Sequence, residues 1–194
     1  MKFESKDIKV FTLPHKSLKK NAALNMTKTV MSLVFPLITF PYSSRVLGPV
    51  YIGKVNFAQS IVSYFALAAA LGISTYAVRE SAKLRYDREK LSVFVKEVFS
   101  LNMISTLIAY ILFALALTVV PAFGSYRVLL CVCGASILFT TIGMDWLYTG
   151  LEEFKYITIR SIAFQFLSLI LLFVFVRNQN DYLKYAGISV VLFV

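Results

Sequence analysis

The chain has 194 residues, of which 58% are hydrophobic, with a mean hydropathy of +0.73 and a formal charge of +10 at pH 7. No water-soluble globular domain of ordinary composition is so apolar, so the composition excludes that class. An excess of Lys and Arg is also a feature of nucleic-acid-binding proteins, and the placement of these cations along the chain argues against that class.

The first twenty residues form a basic segment ahead of the first apolar run. Its cations are Lys2, Lys6, Lys9, Lys16, Lys19 and Lys20. We expect residues 1–20 to lie on the anionic cytoplasmic surface of a membrane. The run that follows is too long for the core of a secretory signal and lacks a small-residue cleavage site, so we expect it to be retained.

Five apolar stretches follow, each long enough to cross a hydrocarbon core of about 30 Å at about 1.5 Å per residue. They span residues 22–44, 52–78, 94–120, 128–150 and 157–176. A sixth run begins at Tyr185 and stops at Val194, about half the length of a crossing. The sequence predicts an all-α integral membrane domain over residues 21–194, with five complete transmembrane helices and the start of a sixth. We therefore expect the chain to be the N-terminal part of a larger protein.

Lys and Arg alternate between rich and poor connections. The rich connections hold Arg79, Lys83, Arg85, Arg88, Lys90 and Lys96, then Lys155 and Arg160; the poor ones hold Arg45 and Lys54, then Arg127, then Arg177 and Lys184. Cytoplasmic loops are the ones enriched in Lys and Arg, so the N-terminus is predicted to be cytoplasmic. This topology accounts for the charge without nucleic acid.

The first span carries polar or helix-perturbing residues every three or four positions, which places them on one stripe. They are Asn21, Asn25, Lys28, Ser32, Pro36, Thr39 and Ser43. The stripe is either an interhelical hydrogen-bonding face or the lining of a wet cavity. Lys28 either faces water or an anion, or extends to the headgroups. Pro36 is predicted to kink the span.

The second span begins after Gly48-Pro49, which predicts a tight turn and an outer hairpin. Its first half is polar, with Asn56, Gln59, Ser60 and Ser63, and its second half is rich in small residues suited to helix contact. Arg79 closes the span, as an ordinary inner anchor or as a cavity cation.

Span four has Gly134, Thr141, Asp145 and Tyr148 on one face. Asp145 has three interpretations: it pairs with a cation, binds a proton or sodium ion, or lies at the membrane interface. Span five presents Ser161, Gln165 and Ser168 on one face, with Arg160 at its inner end.

Motifs for enzymatic chemistry are missing from the sequence. It has no Gly-rich phosphate loop, and the single histidine, His15, lies in the basic segment away from Cys131 and Cys133. Two residues apart on a helix, these cysteines point away from each other and cannot form a disulfide. Glu152 and Glu153 are adjacent and suit solvation better than acid–base work. We expect neither catalysis nor a metal or cofactor.

Three stretches together resemble bacterial polysaccharide flippases of the Wzx type. They are residues 36–49 (PLITFPYSSRVLGP), residues 53–80, and residues 145–156 (DWLYTGLEEFKY). The first resembles the first span and hairpin of the family, the second its second span, and the third the end of its fourth.

The resemblance implies membership of the MOP superfamily, with MATE multidrug exporters and lipid II flippases: two six-span lobes around a central cavity that opens alternately to each side. This chain would supply most of the N-terminal lobe, in the bacterial inner membrane. The implied cargo is an undecaprenyl-diphosphate-linked oligosaccharide, moved from the cytoplasmic to the periplasmic leaflet in contact with membrane lipids and with other polysaccharide assembly proteins as partners.

Cations suit the diphosphate of such cargo and amides suit its sugars. The residues expected to contact it are Lys28, Arg45, Arg79, Asn25, Asn56 and Gln59, with Asp145 as the ion-coupling residue. Three other functions compete with this one. The sign of the charges disfavours efflux of cationic compounds. The short outer connections disfavour a membrane glycosyltransferase or polymerase. A purely structural subunit requires the polar stripes to pack against one another without water.

Overall fold

A computed structural model describes residues 18–70 and 72–191, with side chains from residue 21 onward. Within these ranges the regular structure is entirely helical, which confirms the predicted all-α class. The helices are α1 (Leu18–Ala70), α2 (Ile73–Leu84), α3 (Arg88–Val119), α4 (Arg127–Gly143), α5 (Asp145–Gly150), α6 (Phe154–Phe175) and α7 (Tyr182–Val191), with 3-10 turns at Pro121–Tyr126 and Gln179–Asp181.

Four helical segments in the described ranges are long and apolar enough to cross a membrane. They are Asn21–Ala70, Arg88–Val119, Pro121–Gly150 and Phe154–Phe175. The protein is therefore a multi-pass membrane protein. The five crossings expected from the sequence stay a prediction, because the first of the four segments contains the predicted span 22–44 and most of the predicted span 52–78.

α1 is divided into two limbs by Gly48. That residue has φ 76° and ψ 165°, a non-helical conformation inside an otherwise helical segment. Glycine reaches positive φ without a side-chain clash, and Pro49 directly after it disfavours a helical conformation at Gly48. The predicted turn at Gly48-Pro49 is thus a single-residue break, with limbs over residues 18–47 and 49–70. Pro36 and Pro41 lie within the first limb, where the backbone stays helical.

Contacts far apart in sequence fix the directions of the helices. The first limb of α1 runs parallel to α6, since the Thr158 hydroxyl donates to the Leu24 carbonyl at 3.2 Å and the Tyr42 hydroxyl donates to the Val176 carbonyl at 2.9 Å. The second limb runs antiparallel to α3, where the Ser105 hydroxyl donates to the Ala69 carbonyl at 2.6 Å.

The remaining helices pack against this frame. α4 runs antiparallel to α3, joined by Tyr110, whose hydroxyl donates to the Gly134 carbonyl at 2.9 Å, and by the hydroxyls of Thr106 and Thr141, 2.8 Å apart. α7 lies along the second limb of α1. The bundle therefore has two ends: the Leu24 end, which also holds Ala69, Gly143 and Thr158, and the Gly48 end, which also holds Tyr42, Tyr126, Val176 and Tyr182.

The main core forms where α1, α3, α4 and α7 meet. It is built from small and branched residues that are almost fully buried: Val55, Ala58, Val62, Ala69, Ala109, Phe113, Leu129, Leu130, Cys133, Ile137 and Ala186. Burial of Cys133 and exposure of Cys131 agree with the predicted opposite orientation of the two thiols.

Two predicted spans are shorter as helices than the apolar patterns indicated. The stretch 52–78 breaks near Gly72, whose φ is 66°, and α2 begins at Ile73. The stretch 128–150 breaks at Met144, whose φ is 47°, so Asp145 and Tyr148 do not continue the face of Gly134 and Thr141. Hydropathy does not register such a break, since one residue in a left-handed conformation leaves the apolar run intact.

Predictions for residues 1–17, including the basic segment and His15, lie outside the described residues, as do the side chains of 18–20, Leu71 and the final residues 192–194. The end of the sixth apolar run therefore stays a prediction.

Candidate functional site

Asn25 and Lys28 lie near the Leu24 end of the first limb. Asn25 is exposed, and its backbone carbonyl accepts the Thr29 hydroxyl at 2.9 Å. Lys28 is half-buried, one turn along the limb from the Leu24 carbonyl that binds Thr158. Together they present an amide and a cation at the end of the bundle where α2, α5 and α6 begin.

Arg45 lies at the opposite end of the same limb. It is exposed, although Ser43 and Leu47 on either side of it are buried. The seventeen residues from Lys28 to Arg45 extend about 25 Å at the helical rise. One diphosphate group therefore cannot contact both cations at once.

The second limb separates its two predicted polar residues. Asn56 is exposed, whereas Gln59 is half-buried and donates from Nε2 to the Ser189 hydroxyl of α7 at 2.7 Å. The donor side of the Gln59 amide thus serves helix packing, and its carbonyl side keeps its capacity to accept. Arg79 is exposed on α2, near the Leu24 end. The six residues are spread along the bundle rather than gathered into one cluster.

Asp145 opens α5 and forms an ion pair with Arg160 of α6. The same guanidinium donates to the Gly143 carbonyl at 3.0 Å and lies over the Tyr156 ring. Arg160 therefore stabilises the corner at Met144, where the last carbonyls of α4 lack helical partners. Of the three interpretations of Asp145, pairing with a cation is the one seen in the structure. The Asp145 side chain is nevertheless 58% exposed, so an ion from solution can reach it.

Other polar residues of the spans serve helix contact. Ser105, Thr106, Tyr110 and Thr141 bond across helices, as described above, and Ser43 is buried and donates to the Thr39 carbonyl in its own helix at 2.8 Å. On α1, by contrast, Asn25, Ser32, Asn56 and Ser60 are exposed. The polar groups of α3 and α4 thus serve packing, and the first-span stripe is divided, with Ser43 buried and Asn25 and Ser32 exposed.

The short helix α5 is attached at its other end to α2. A β-carbon placed on Gly150 would lie 2.8 Å from Cβ of Ser81 and 2.9 Å from the Val78 carbonyl oxygen, so only glycine allows this approach. Arg85 and Glu152 add an ion pair at 2.8 Å beside this contact. Sequence reasoning missed this connection and the double role of Arg160. The glycine of the 145–156 motif was the available signal.

Comparison with known proteins identifies the family of this chain. The family described as "Polysaccharide biosynthesis protein" matches residues 18–194, which is nearly the whole chain. The chain belongs to this family. The match agrees with the resemblance carried by residues 36–49, 53–80 and 145–156.

Two curated members of bacterial origin are similar to this chain. A protein of Escherichia coli K12 named "Putative O-antigen transporter" is 28% identical over 167 residues, covering 85% of this chain and 40% of that protein. A Shigella dysenteriae protein of the same name is 25% identical over 167 residues, covering 84% of this chain and 41% of that protein. The chain thus spans about two-fifths of the length of these family members. No solved structure matches.

Proposed function

We propose that the complete protein, of which this chain forms the first lobe, moves an undecaprenyl-diphosphate-linked oligosaccharide from the cytoplasmic to the periplasmic leaflet. The two similar proteins are each named "Putative O-antigen transporter", which supports a transport role for this one. The polyprenyl tail stays in lipid while the diphosphate and sugars cross. Movement without hydrolysis of ATP by the chain itself agrees with its lack of a phosphate-binding loop in sequence.

The observation that carries the proposal is the polar set that α1 leaves exposed within an apolar segment. Asn25, Ser32, Asn56 and Ser60 are not covered by neighbouring helices. An amide facing hydrocarbon without a partner costs several kcal/mol, so the side chains of Asn25 and Asn56 need water, cargo or another protein surface. A cavity between two lobes supplies the first two, and a dry structural subunit supplies neither.

Lys28 and Arg45 act in succession in this proposal. Their separation along one helix excludes simultaneous contact with one diphosphate, whereas a group that travels along the limb meets each in turn. Arg79 attracts the cargo near the Leu24 end, and Asn25, Asn56 and the Gln59 carbonyl bond the sugars. Several weak contacts along a path favour passage, because binding that is too strong at one point would prevent release.

The membrane arrangement of the proposal places the Leu24 end at the cytoplasm of the bacterial inner membrane. Each of the two limbs of α1 crosses the membrane once. Together with α3, the pair α4 and α5, and α6, they give five crossings, and α7 begins a sixth. The connections at the Leu24 end are rich in Lys and Arg, which supports this orientation. Residues beyond this chain provide the second lobe.

Asp145 is the proposed ion-coupling residue, and its pairing with Arg160 defines how coupling works. A proton or sodium ion on the Asp145 carboxylate weakens its attraction for Arg160. The corner between α4 and α5 then loses one of its two ties to α6, which permits the inner end of the lobe to rearrange.

Replacement of both cations on the first limb tests the proposal. In the full-length protein, expressed in a host that lacks its own copy, Lys28→Gln with Arg45→Gln should lower surface polysaccharide by about tenfold or more, since each loses a charged contact with the cargo. The matched control is Lys83→Gln with Lys90→Gln, two exposed lysines paired with Glu80 and Asp87. Normal export by the first variant, at equal membrane abundance, would remove both residues from the mechanism.

A further inference from the structure

The two ends of the bundle differ in how far carboxylates balance their cations. At the Leu24 end, residues 18–28, 79–97 and 145–160 hold eleven Lys or Arg and seven Asp or Glu. Several of these pair, as Lys83 does with Glu80 and Arg85 with Glu152, both at 2.8 Å. At the Gly48 end, residues 42–54, 120–127 and 176–184 hold five cations and one carboxylate, that of Asp181. Carboxylates therefore balance more than half of the cations at the Leu24 end and only one of the five at the Gly48 end.

The fold gathers four of these cations around two turns. Arg45 and Lys54 flank the break at Gly48, and Arg177 and Lys184 flank the turn between α6 and α7. The turns meet, since a β-carbon on Gly48 would lie 4.0 Å from Nε2 of Gln179. We call Arg45, Lys54, Arg177 and Lys184 the Gly48-end basic cluster.

Stacked tyrosines connect the two sides of this cluster. The rings of Tyr51 and Tyr182 stack with centres 5.1 Å apart, and Nζ of Lys54 lies 5.1 Å from the centre of the Tyr51 ring. Tyrosine is enriched at the level of lipid headgroups, where its ring is apolar and its hydroxyl is wet. Arg177 lies two residues after the apolar segment Phe154–Phe175, so the cluster lies where this membrane-crossing candidate ends.

The single carboxylate of this end is already engaged. Asp181 accepts the backbone N–H groups of Arg177 and Asn178 at 3.2 and 3.0 Å and pairs with Lys184 at 2.7 Å. The bond from Lys184, followed by those two N–H groups, lowers the pKa of Asp181 below its ordinary value, so the carboxylate is ionised at neutral pH. It offsets Lys184 and leaves the side chains of Arg45, Lys54 and Arg177 with no carboxylate partner in the described part of the chain.

Membrane proteins deplete Lys and Arg at the non-cytoplasmic side, so an unbalanced cluster there requires a reason. We propose that the Gly48-end basic cluster binds the diphosphate of a polyprenyl-linked saccharide, and this rests on the proposed function. With Asp181 included, the cluster carries a net charge of +3. A diphosphate between lipid and sugar bears one negative charge on each phosphorus, whereas phosphatidylglycerol bears one in total. The larger anion fits the cluster better and forms charge-assisted bonds with more of its donors.

The cluster assigns Lys54 and Arg177 a role that the sequence did not suggest. Arg45 is the last cation of the first limb and also a member of the cluster, so a diphosphate that reaches it is transferred to Lys54 and Arg177 across the meeting of the two turns. Lys54 lies in α1 and Arg177 in the turn between α6 and α7, more than a hundred positions apart in sequence.

Binding to the full-length protein in phosphatidylcholine nanodiscs tests the proposal, with undecaprenyl diphosphate and phosphatidylglycerol as separate probes. Lys54→Gln with Arg177→Gln, with Arg45 intact, should weaken undecaprenyl diphosphate binding about tenfold or more, which corresponds to the loss of one or two charge-assisted bonds. Phosphatidylglycerol binding should change by less than about twofold. Lys83→Gln with Lys90→Gln removes two cations from the other end and should preserve binding of both lipids.

Lys54→Arg with Arg177→Lys separates charge from folding, because it retains both cations and should retain binding. If Lys54→Gln with Arg177→Gln weakened the binding of both lipids equally, the cluster would be a surface that binds headgroups in general, and the proposal would be overturned. An equal loss in the control at the Leu24 end, or a loss in the charge-retaining variant, would also overturn it. A strain without the gene that still exports polysaccharide normally would contradict the proposed function, whereas the nanodisc result would still decide the binding site.

Discussion

At the scale of single residues, glycine decides how closely helices approach in this protein. Gly150 of α5 lies against α2, where the nearest atoms to an added β-carbon are Cβ of Ser81 and the backbone carbonyl of Val78, at 2.8 and 2.9 Å. A backbone oxygen cannot rotate away as the end of a long side chain can. Gly187 of α7 differs, because its closest neighbour is Cγ1 of Val132, at an ordinary 3.8 Å.

Gly150→Ala should therefore destabilise the folded lobe by about 1–3 kcal/mol, the range for forcing extra atoms into a packed contact. Gly187→Ala is the matched control, since it adds the same methyl group to a helix without a clash and should leave stability unchanged or slightly higher. Denaturant or thermal unfolding of the full-length protein in detergent measures both variants. Equal stability of the two would show that α2 and α5 are further apart than described.

At the scale of the element, the first limb of α1 combines two environments. Near the Gly48 end, Ser43 and Leu47 are buried against α6 and α7. Near the Leu24 end, Asn25 and Ser32 are exposed. The predicted stripe is continuous on the helix, and its surroundings change from a packed contact to an open surface about halfway along.

Single cysteines along this limb report that change. With Cys131 and Cys133 replaced by Ser, cysteine at Asn25 or Ser32 should react with a water-soluble thiol reagent, while cysteine at Ser43 should be protected by at least about tenfold, as expected when the site opens only by local unfolding. Protection at all three positions would mean that the limb packs dry or faces lipid. That result would contradict a wet cavity and favour a structural subunit.

At the scale of the whole molecule, a few polar ties connect helices that are remote in sequence. Arg160 links α6 to both the end of α4, through the Gly143 carbonyl, and the start of α5, through Asp145. The Arg160 side chain is 16% exposed and that of Asp145 is 58% exposed, so one partner is shielded from water and the two attract more strongly than two exposed side chains would.

A double-mutant cycle on Asp145→Asn and Arg160→Gln measures this coupling. Each single change should destabilise the protein. The double variant should be no less stable than the less stable of the two single variants, which gives an interaction energy of about 0.5–3 kcal/mol. The same cycle on Lys90→Gln and Asp87→Asn, a pair whose side chains are 73% and 43% exposed, should give about 0–0.5 kcal/mol. Strictly additive effects at Asp145 and Arg160 would mean that the pair does not hold the corner.

The sequence alone determined the membrane class, the apolar runs, the break at Gly48-Pro49 and the segregation of cations to alternate connections. These features depend on composition and on spacing along one helix, which the chain carries locally. The same reasoning identified Asn25 and Lys28 as members of one polar stripe. It left three interpretations for Asp145: a pair with a cation, a proton or sodium site, or a residue at the membrane interface.

Only the tertiary structure decided which partner each polar group has. Periodicity places Gln59, Thr106 and Thr141 on a helix face and does not say whether that face meets Ser189, another threonine or water. The pairing of Asp145 with Arg160 also needed the break at Met144. Lys54 and Arg177 lie 123 positions apart in sequence, and both are near the place where the two turns meet. The partner of each polar group depends on how the helices pack. Lipid favours an apolar helix face equally in every orientation, so small polar contacts select the packing arrangement.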